Sequence, residues 1–210
     1  QIVEKVSKGG QSPAFSFTPP DPNGYYPPTS LEFDPKRAKE LLKEAGYEDG
    51  SFPNFELLYN TSEGHQKLAQ AVQQMWRTNL GINMTLANTD WKVYLSRQSV
   101  GDFSISRAGW IGDYLDPNNF LDMLLTDGGN NRTRWSNSEY DANIAAAALA
   151  VEKEERFKLF QRNEQILVDE SPVMPIYTYT RVFLIKPSVI GWDQNILDQH
   201  PYKYVSLQAD

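Results

Sequence analysis

Apolar and polar residues along this chain follow two periods, one helical and one alternating. From Asp34 to Gly46, the residues Ala38, Leu41, Leu42 and Ala45 recur at helical spacing and predict one stripe of an amphipathic helix. Asp34 stands where an N-cap belongs, Pro35 at the first helical position and Gly46 at the stop, each a residue type favoured there. Phe55 to Tyr59 predicts a buried strand. Ser62 can cap the next helix, running to about Asn79, with Leu68, Ala69, Val72, Met75 and Trp76 as its buried face. Ile82, Met84 and Leu86 then alternate as a strand. Asp90 opens a short helix through Trp91, Val93, Tyr94 and Leu95, and Phe103 to Arg107 predicts another strand. Farther on, the pattern predicts helices near 117–125, 138–149 and 153–169, then strands over 173–179 and 181–185. The stretch from 191 to 210 shows no strong period.

The order strand, helix, strand, helix, strand predicts an α/β fold with a partly parallel sheet and helices on both faces. Two segments break the pattern. Residues 9–33 hold Pro19-Pro20, Asp21-Pro22-Asn23-Gly24 and Pro27-Pro28, which reads as an ordered surface crossing or a linker. Gln1 to Lys8 resembles a helix end with no cap before it, as if the chain began inside a larger domain.

Composition narrows the function. The 210 residues are 40% hydrophobic and 12% aromatic, enough for a packed core. A net charge of -7 argues against a nucleic-acid partner. The apolar runs fall short of the roughly 18 residues a membrane span needs, and no signal peptide heads the chain. Cysteine is absent, which excludes disulfides, thiolate catalysis and Cys-ligated zinc. With only two histidines, neither a built-in metal site nor a cofactor is expected.

Candidate chemistry concentrates in Arg107-Ala108-Gly109-Trp110-Ile111-Gly112-Asp113-Tyr114-Leu115-Asp116-Pro117. This is a predicted loop at the carboxyl end of a strand, where open α/β sheets place ligands. Arg107, Trp110 and Asp113 supply a cationic fork, a flat apolar face and an anion, a set that suits a zwitterion. Each residue also has a plainer reading: Asp113 as a turn or N-cap carboxylate, Arg107 as half of a surface ion pair. Trp91 and Trp110 read as cleft walls or as core aromatics; Trp76, on a helical stripe, reads as core. Asp113 and Asp116 as glycosidase carboxylates are disfavoured by their closeness in sequence. No Gly-x-Ser-x-Gly elbow or His-Glu-x-x-His helix occurs. Glu152 to Arg156 reads as a solvated, charge-paired helix face.

Several stretches together resemble one family. Asp34-Pro35-Lys36-Arg37-Ala38-Lys39-Glu40-Leu41-Leu42-Lys43-Glu44-Ala45-Gly46-Tyr47 is similar to a signature of the family 5 extracellular solute-binding proteins. So are Tyr59-Asn60-Thr61-Ser62 with His65, Gly81-Ile82-Asn83-Met84, Asp90-Trp91, Arg107-Ala108-Gly109-Trp110, Asp113-Tyr114 and Val173-Met174-Pro175-Ile176-Tyr177. These proteins are the dipeptide, oligopeptide and nickel receptors of ABC importers, and the likeness here is greatest to the oligopeptide receptors.

The resemblance implies a type II periplasmic-binding-protein-like lobe with a mixed, mostly parallel sheet flanked by helices. Residues 1–33 would be a crossing segment and the start of the lobe. Residues 34–190 would be the C-terminal ligand-binding lobe, and 191–210 a tail returning toward an N-terminal lobe absent from the chain. It implies binding without catalysis of short peptides by a monomer that delivers them to a membrane permease. The location implied is the periplasm, or the cell surface as a lipoprotein in a Gram-positive host. It gives Asp113 the ligand's α-ammonium, Arg107 and His65 the carboxyl end, and puts Trp91, Trp110 and Tyr114 in the cleft. Receptors for dipeptides, nickel complexes, oligosaccharides, opines or haem are the alternatives within the family; a hydrolase using Asp113 or His65 is the alternative outside it.

Overall fold

The computed structural model describes residues 1–20, 23–47, 51–193, 195 and 197–208. Asp21 and Pro22 of the predicted turn and positions 194, 196, 209 and 210 of the tail lie outside the described residues. A π-helical turn, Ile2–Ser7, comes where a helix end was expected. The strands are β1 (Ser12–Pro13), β2 (Phe55–Asn60), β3 (Met84–Thr89), β4 (Ile105–Ser106), β5 (Tyr177–Thr178), β6 (Val189–Ile190) and β7 (Ser206–Leu207). The helices are α1 (Pro35–Glu44), α2 (Glu63–Leu80), α3 (Trp91–Val100), α4 (Asn118–Leu121), α5 (Ser138–Leu149) and α6 (Lys153–Glu170).

Local chemistry sets the helix ends. The Asp34 carboxylate accepts from the backbone N–H groups of Lys36 and Arg37, with Pro35 at the first position of α1. Asp90 does the same for Lys92 and Val93 in α3. Gly46, just past α1, has φ +85, a left-handed turn that glycine adopts without a steric penalty. The stripe of α1 is less covered than its period implies. Ala38 and Leu42 are half-buried, Leu41 and Ala45 exposed, because α2 is the helix's principal neighbour.

β2 is the central strand. It pairs in parallel with β3 on one side and with β4 on the other. Parallel neighbours need crossovers, which α2 and α3 supply. The register sets Asn60 beside Thr89 and Leu58 beside Ser106, so all three strands end at one edge. β4 is shorter than the predicted 103–107, though the Arg107 N–H still donates to the Leu58 carbonyl at 2.8 Å. Leu57, Tyr59, Ala69 and Met84 form the sheet core, joined by Val72 and Trp76 from α2.

A second core lies between α5, α6 and the segment after β4, with Leu121, Tyr140, Ile144, Phe160 and Leu167 at its centre. The described residues around Phe17, Thr18 and Tyr25 pack onto it as a strap. Tyr25 is fully buried, edge-on to Phe157 and Phe160 at 5.1 and 6.2 Å. The buried Glu164 carboxylate accepts from the backbone N–H of Phe17 at 3.1 Å and of Thr18 at 2.8 Å. Burial pushes the Glu164 carboxyl above the ordinary range, and the bonds from residues 17 and 18 oppose that push.

Three expectations need correction. Of 173–179, only Tyr177–Thr178 is a strand, paired antiparallel with β1. The run 181–185 pairs with no strand among the described residues, and Val182 and Leu184 are 76% and 103% exposed; alternation alone makes no strand without a partner ladder. The charged start of α6 is not simply a solvated face, since Arg156 turns inward to grip Asp116.

Glu164→Ala leaves two strap N–H groups without their acceptor. Its expected cost is about 1–3 kcal/mol, the penalty for stranded buried donors, in denaturant unfolding. The Phe17 and Thr18 amides should exchange faster with solvent; unchanged exchange at both would show that Glu164 does not hold the strap.

Candidate functional site

The shared carboxyl edge of β2, β3 and β4 gathers four of the sequence-predicted residues or their supports. His65 lies in the first turn of α2, its Nδ1 3.4 Å from the Asn60 carbonyl. Burial first, and then the positive charge of Arg107, hold the His65 imidazole below its usual pKa, against the Asn60 contact, which raises it. Trp91, at the start of α3, is 59% exposed and stacks on Tyr94 at 5.4 Å and 24°. The Tyr94 hydroxyl donates to the Arg107 carbonyl, tying the indole platform to the cation's backbone.

Arg107 is half-buried. Its Nη2 donates to the Tyr179 hydroxyl, and its guanidinium carbon lies 5.9 Å from that ring's centre. Desolvation holds its pKa below the ordinary arginine value, opposed by the phenols of Tyr177 and Tyr94. Among the described residues no carboxylate pairs with it. Tyr179 reaches it by crossing Gly109, where a Cβ would stand 3.0 Å from the tyrosine ring.

The rest of the predicted set lies farther along the same loop. The Trp110 Nε1–H donates to Asn119 Oδ1 at 2.8 Å, and the Asp113 backbone N–H reaches the same oxygen at 3.3 Å. The Asp113 side chain is exposed and has no hydrogen-bond or ion-pair partner among the described residues. Tyr114 is 47% exposed, its hydroxyl accepting from Asn118 at 3.3 Å. No contact joins Asp113 or Tyr114 to Arg107, His65 or Trp91, so the structure divides the set into a cationic edge and an anionic loop.

Asp116 is spoken for. Its two oxygens receive Arg156 Nη1 at 2.6 Å and Nη2 at 2.8 Å, and one also caps the Asn118 N–H at 2.8 Å. An acid–base pair of Asp113 and Asp116 would need both carboxyls uncommitted. Among the described residues no three His, Cys, Asp or Glu side chains could hold a metal ion together, and no helix is long and apolar enough to cross a membrane.

Sequence reasoning missed Tyr94, Asn119 and Tyr179. Tyr94 was visible only as part of a helical apolar stripe. The one signal for Tyr179 was a tyrosine two positions after Tyr177, on the same side of an extended chain. Nothing local marked Asn119.

With this geometry in place, the relatives are informative. Residues 1–132 match the family model described as bacterial extracellular solute-binding proteins, family 5 middle. The periplasmic oligopeptide-binding protein OppA of Salmonella typhimurium is 38% identical over 197 residues, covering 91% of this chain and 36% of that protein. The oligopeptide-binding protein OppA of Bacillus subtilis is 41% identical over 199 residues, covering 90% and 36%. Among solved structures, the Escherichia coli murein tripeptide binding protein MppA superposes with a TM-score of 0.88 at 34% identity, over 100% of this chain and 42% of that one. The chain thus spans well under half the length of these relatives, and it belongs to the bacterial extracellular solute-binding proteins of family 5.

Proposed function

We propose that this chain is the ligand-binding C-terminal lobe of a peptide receptor serving an ABC importer, and that it binds without catalysis. The observation that carries this reading is the state of Arg107. Its half-buried guanidinium donates to the Tyr179 phenol and has a cation's desolvation penalty without a carboxylate among the described residues to offset it. An incoming carboxylate is the missing partner, and the planar fork suits it bidentately. Asp113, at the other end of the loop, offers the complementary charge to an α-ammonium. Trp91, Trp110 and Tyr114 supply broad faces that accept varied side chains at little conformational cost.

Two charges of opposite sign, one at the strand edge and one farther along the loop that leaves it, fit an extended zwitterion. They favour a peptide over a nickel complex, an oligosaccharide or haem, and Asp116's engagement weighs against an Asp113–Asp116 glycosidase pair. The names of the relatives point the same way, toward oligopeptides and a murein tripeptide. On this reading residues 1–33 are a crossing segment and the start of the lobe, 34–190 form the ligand-binding lobe and 191–210 return toward an N-terminal lobe supplied by the rest of the receptor. The receptor works as a monomer in the periplasm, or as a surface lipoprotein in a Gram-positive cell, and hands peptide to the permease.

Three outcomes are expected in the complete receptor. Asp113→Asn should weaken peptides with a free amino terminus by roughly 2–5 kcal/mol, the cost of breaking a desolvated charge pair, and weaken N-acetylated peptides much less. Calorimetry decides it; equal losses remove Asp113 from the ammonium role.

Arg107→Ala and His65→Ala should each weaken one peptide length more than others. An extended chain advances at most about 3.3–3.6 Å per residue, so one added residue carries its carboxylate past a fixed cation. A uniform loss across a length series would assign both residues to the fold instead.

The third concerns pH. His65 should titrate below its ordinary value of about 6.5 in NMR, and upward of its native position in Arg107→Gln. Because its folded-state pKa is depressed, the stability neutral His65 contributes is present above the ordinary value and lost as pH falls through the folded one. A bound carboxylate should raise that pKa, so binding takes up a proton and tightens as pH drops from about 7 toward the lowered value. Binding that weakens over that interval would contradict a carboxylate at this pair.

A further inference from the structure

The loop from Arg107 to Pro117 contains two glycines and several exposed side chains, yet it presents Trp110 and Asp113 in one arrangement. A single buried side chain accounts for much of this. Asn119, in α4, is 3% exposed. Its Oδ1 accepts from the indole N–H of Trp110 at 2.8 Å and from the backbone N–H of Asp113 at 3.3 Å. Its own backbone N–H donates to the Asp116 carbonyl at 3.1 Å. The residue therefore grips the loop three, six and nine positions upstream of itself.

The far end is equally fixed. Arg156 holds the Asp116 carboxylate bidentately and lies over the Phe160 ring at 4.6 Å, so α6 anchors the start of α4 and with it Asn119. Gly112 lets the loop pass close: a Cβ there would meet Phe120 at 3.2 Å and Asn119 Oδ1 at 3.6 Å. Two donors converge on the amide oxygen of this buried side chain, and among the described residues no other residue hydrogen-bonds to both Trp110 and Asp113.

We infer that Asn119 is the positioning residue of the anionic subsite, fixing the Asp113 backbone and the Trp110 wall together so that the Asp113 carboxylate is already aimed when an ammonium group arrives. Asn119 does not touch ligand; it acts through its two donors. The inference rests on the proposed role of Asp113. Its chemical requirement is one acceptor oxygen at this point, which Asn and Asp both supply and Leu, of similar shape, does not.

The test uses the complete receptor, with one tripeptide carrying a free amino terminus and its N-acetylated form. Asn119→Leu should weaken the free-amino peptide by about tenfold, the low end of what losing an outer-sphere partner costs at metal sites, and the acetylated peptide far less. Asn119→Asp, which keeps the acceptor, should restore that selectivity. In the Asp113→Asn background, Asn119→Leu should add no further discrimination between the two peptides, as expected of residues acting as one unit. In the unsubstituted receptor, the Trp110 indole N–H, assigned by its loss in Trp110→Phe, should exchange slowly with solvent. This measurement stands even if Asn119→Leu does not fold. Equal losses for both peptides, failure of Asn119→Asp to restore selectivity, or an indole proton exchanging freely would each overturn the inference. If Asp113→Asn itself shows no selectivity, the ammonium assignment fails instead. If Asp113→Asn is selective and Asn119→Leu is not, only the role of Asn119 falls.

Discussion

The proposed cationic edge depends on the parallel pairing of β2 with both its neighbours. Two parallel ladders on one strand force two crossover helices and bring three strand ends to the same side. At that side the chain must turn, leave the sheet and start a helix, so it carries the residues that suit turns and caps rather than those that fill a core. His65 in the first turn of α2, Trp91 after the Asp90 cap and Arg107 beyond β4 are the three instances. Their proximity follows from topology, although 42 positions separate the first from the last.

The partners of the partly buried arginines show how this edge differs from the rest of the fold. Arg97 is held between Glu56 at 2.6 Å and Asp102 at 2.8 Å, and Arg156 closes on Asp116. Each joins two elements, and each has its charge met. Arg107 is also half-buried, but desolvation is the largest influence on it and its guanidinium meets a tyrosine. A fold that needed Arg107 only for cohesion would gain by giving it an acid, since a phenol and a ring face offset desolvation less well than a carboxylate does. The carboxylates divide the same way: Glu164 and Asp116 are consumed by structure, and Asp113 has no partner among the described residues.

Legibility followed the range of the interactions. The Asp34 and Asp90 caps, the left-handed Gly46 and the strand of 55–59 are decided within a few residues, and the sequence pattern shows them. The strap of residues 9–33 is held by Glu164 and by the rings of Phe157 and Phe160, well over a hundred positions away. No window around the strap contains that information, so its lack of period left crossing and linker equally open. The run 181–185 failed in the opposite sense, because alternation is local while a ladder partner is not. In the site, residues within the Arg107-to-Asp116 motif stood out by chemical type; Asn119 and Tyr179 act only through contacts made after folding.

The exposure of Asp113 has an energetic consequence for the proposed receptor. Two unit charges about 4 Å apart attract by about 1 kcal/mol in bulk water and by about 4 kcal/mol at the effective dielectric of a partly dried protein surface. An ammonium bound to Asp113 on an open lobe would gain the smaller figure, less than the entropy lost in fixing a flexible peptide. The same holds for a carboxylate meeting Arg107, although its partial burial already removes some water on the protein side. Affinity on this edge therefore depends on covering it once the ligand is in place. In the proposed receptor the residues of this lobe would choose which charges go where, and a second surface covering the peptide would, by excluding water, turn that choice into binding energy. The uncommitted Asp113 and the desolvated Arg107 thus make most sense as one half of a cleft whose electrostatics reach full strength only when it is shut.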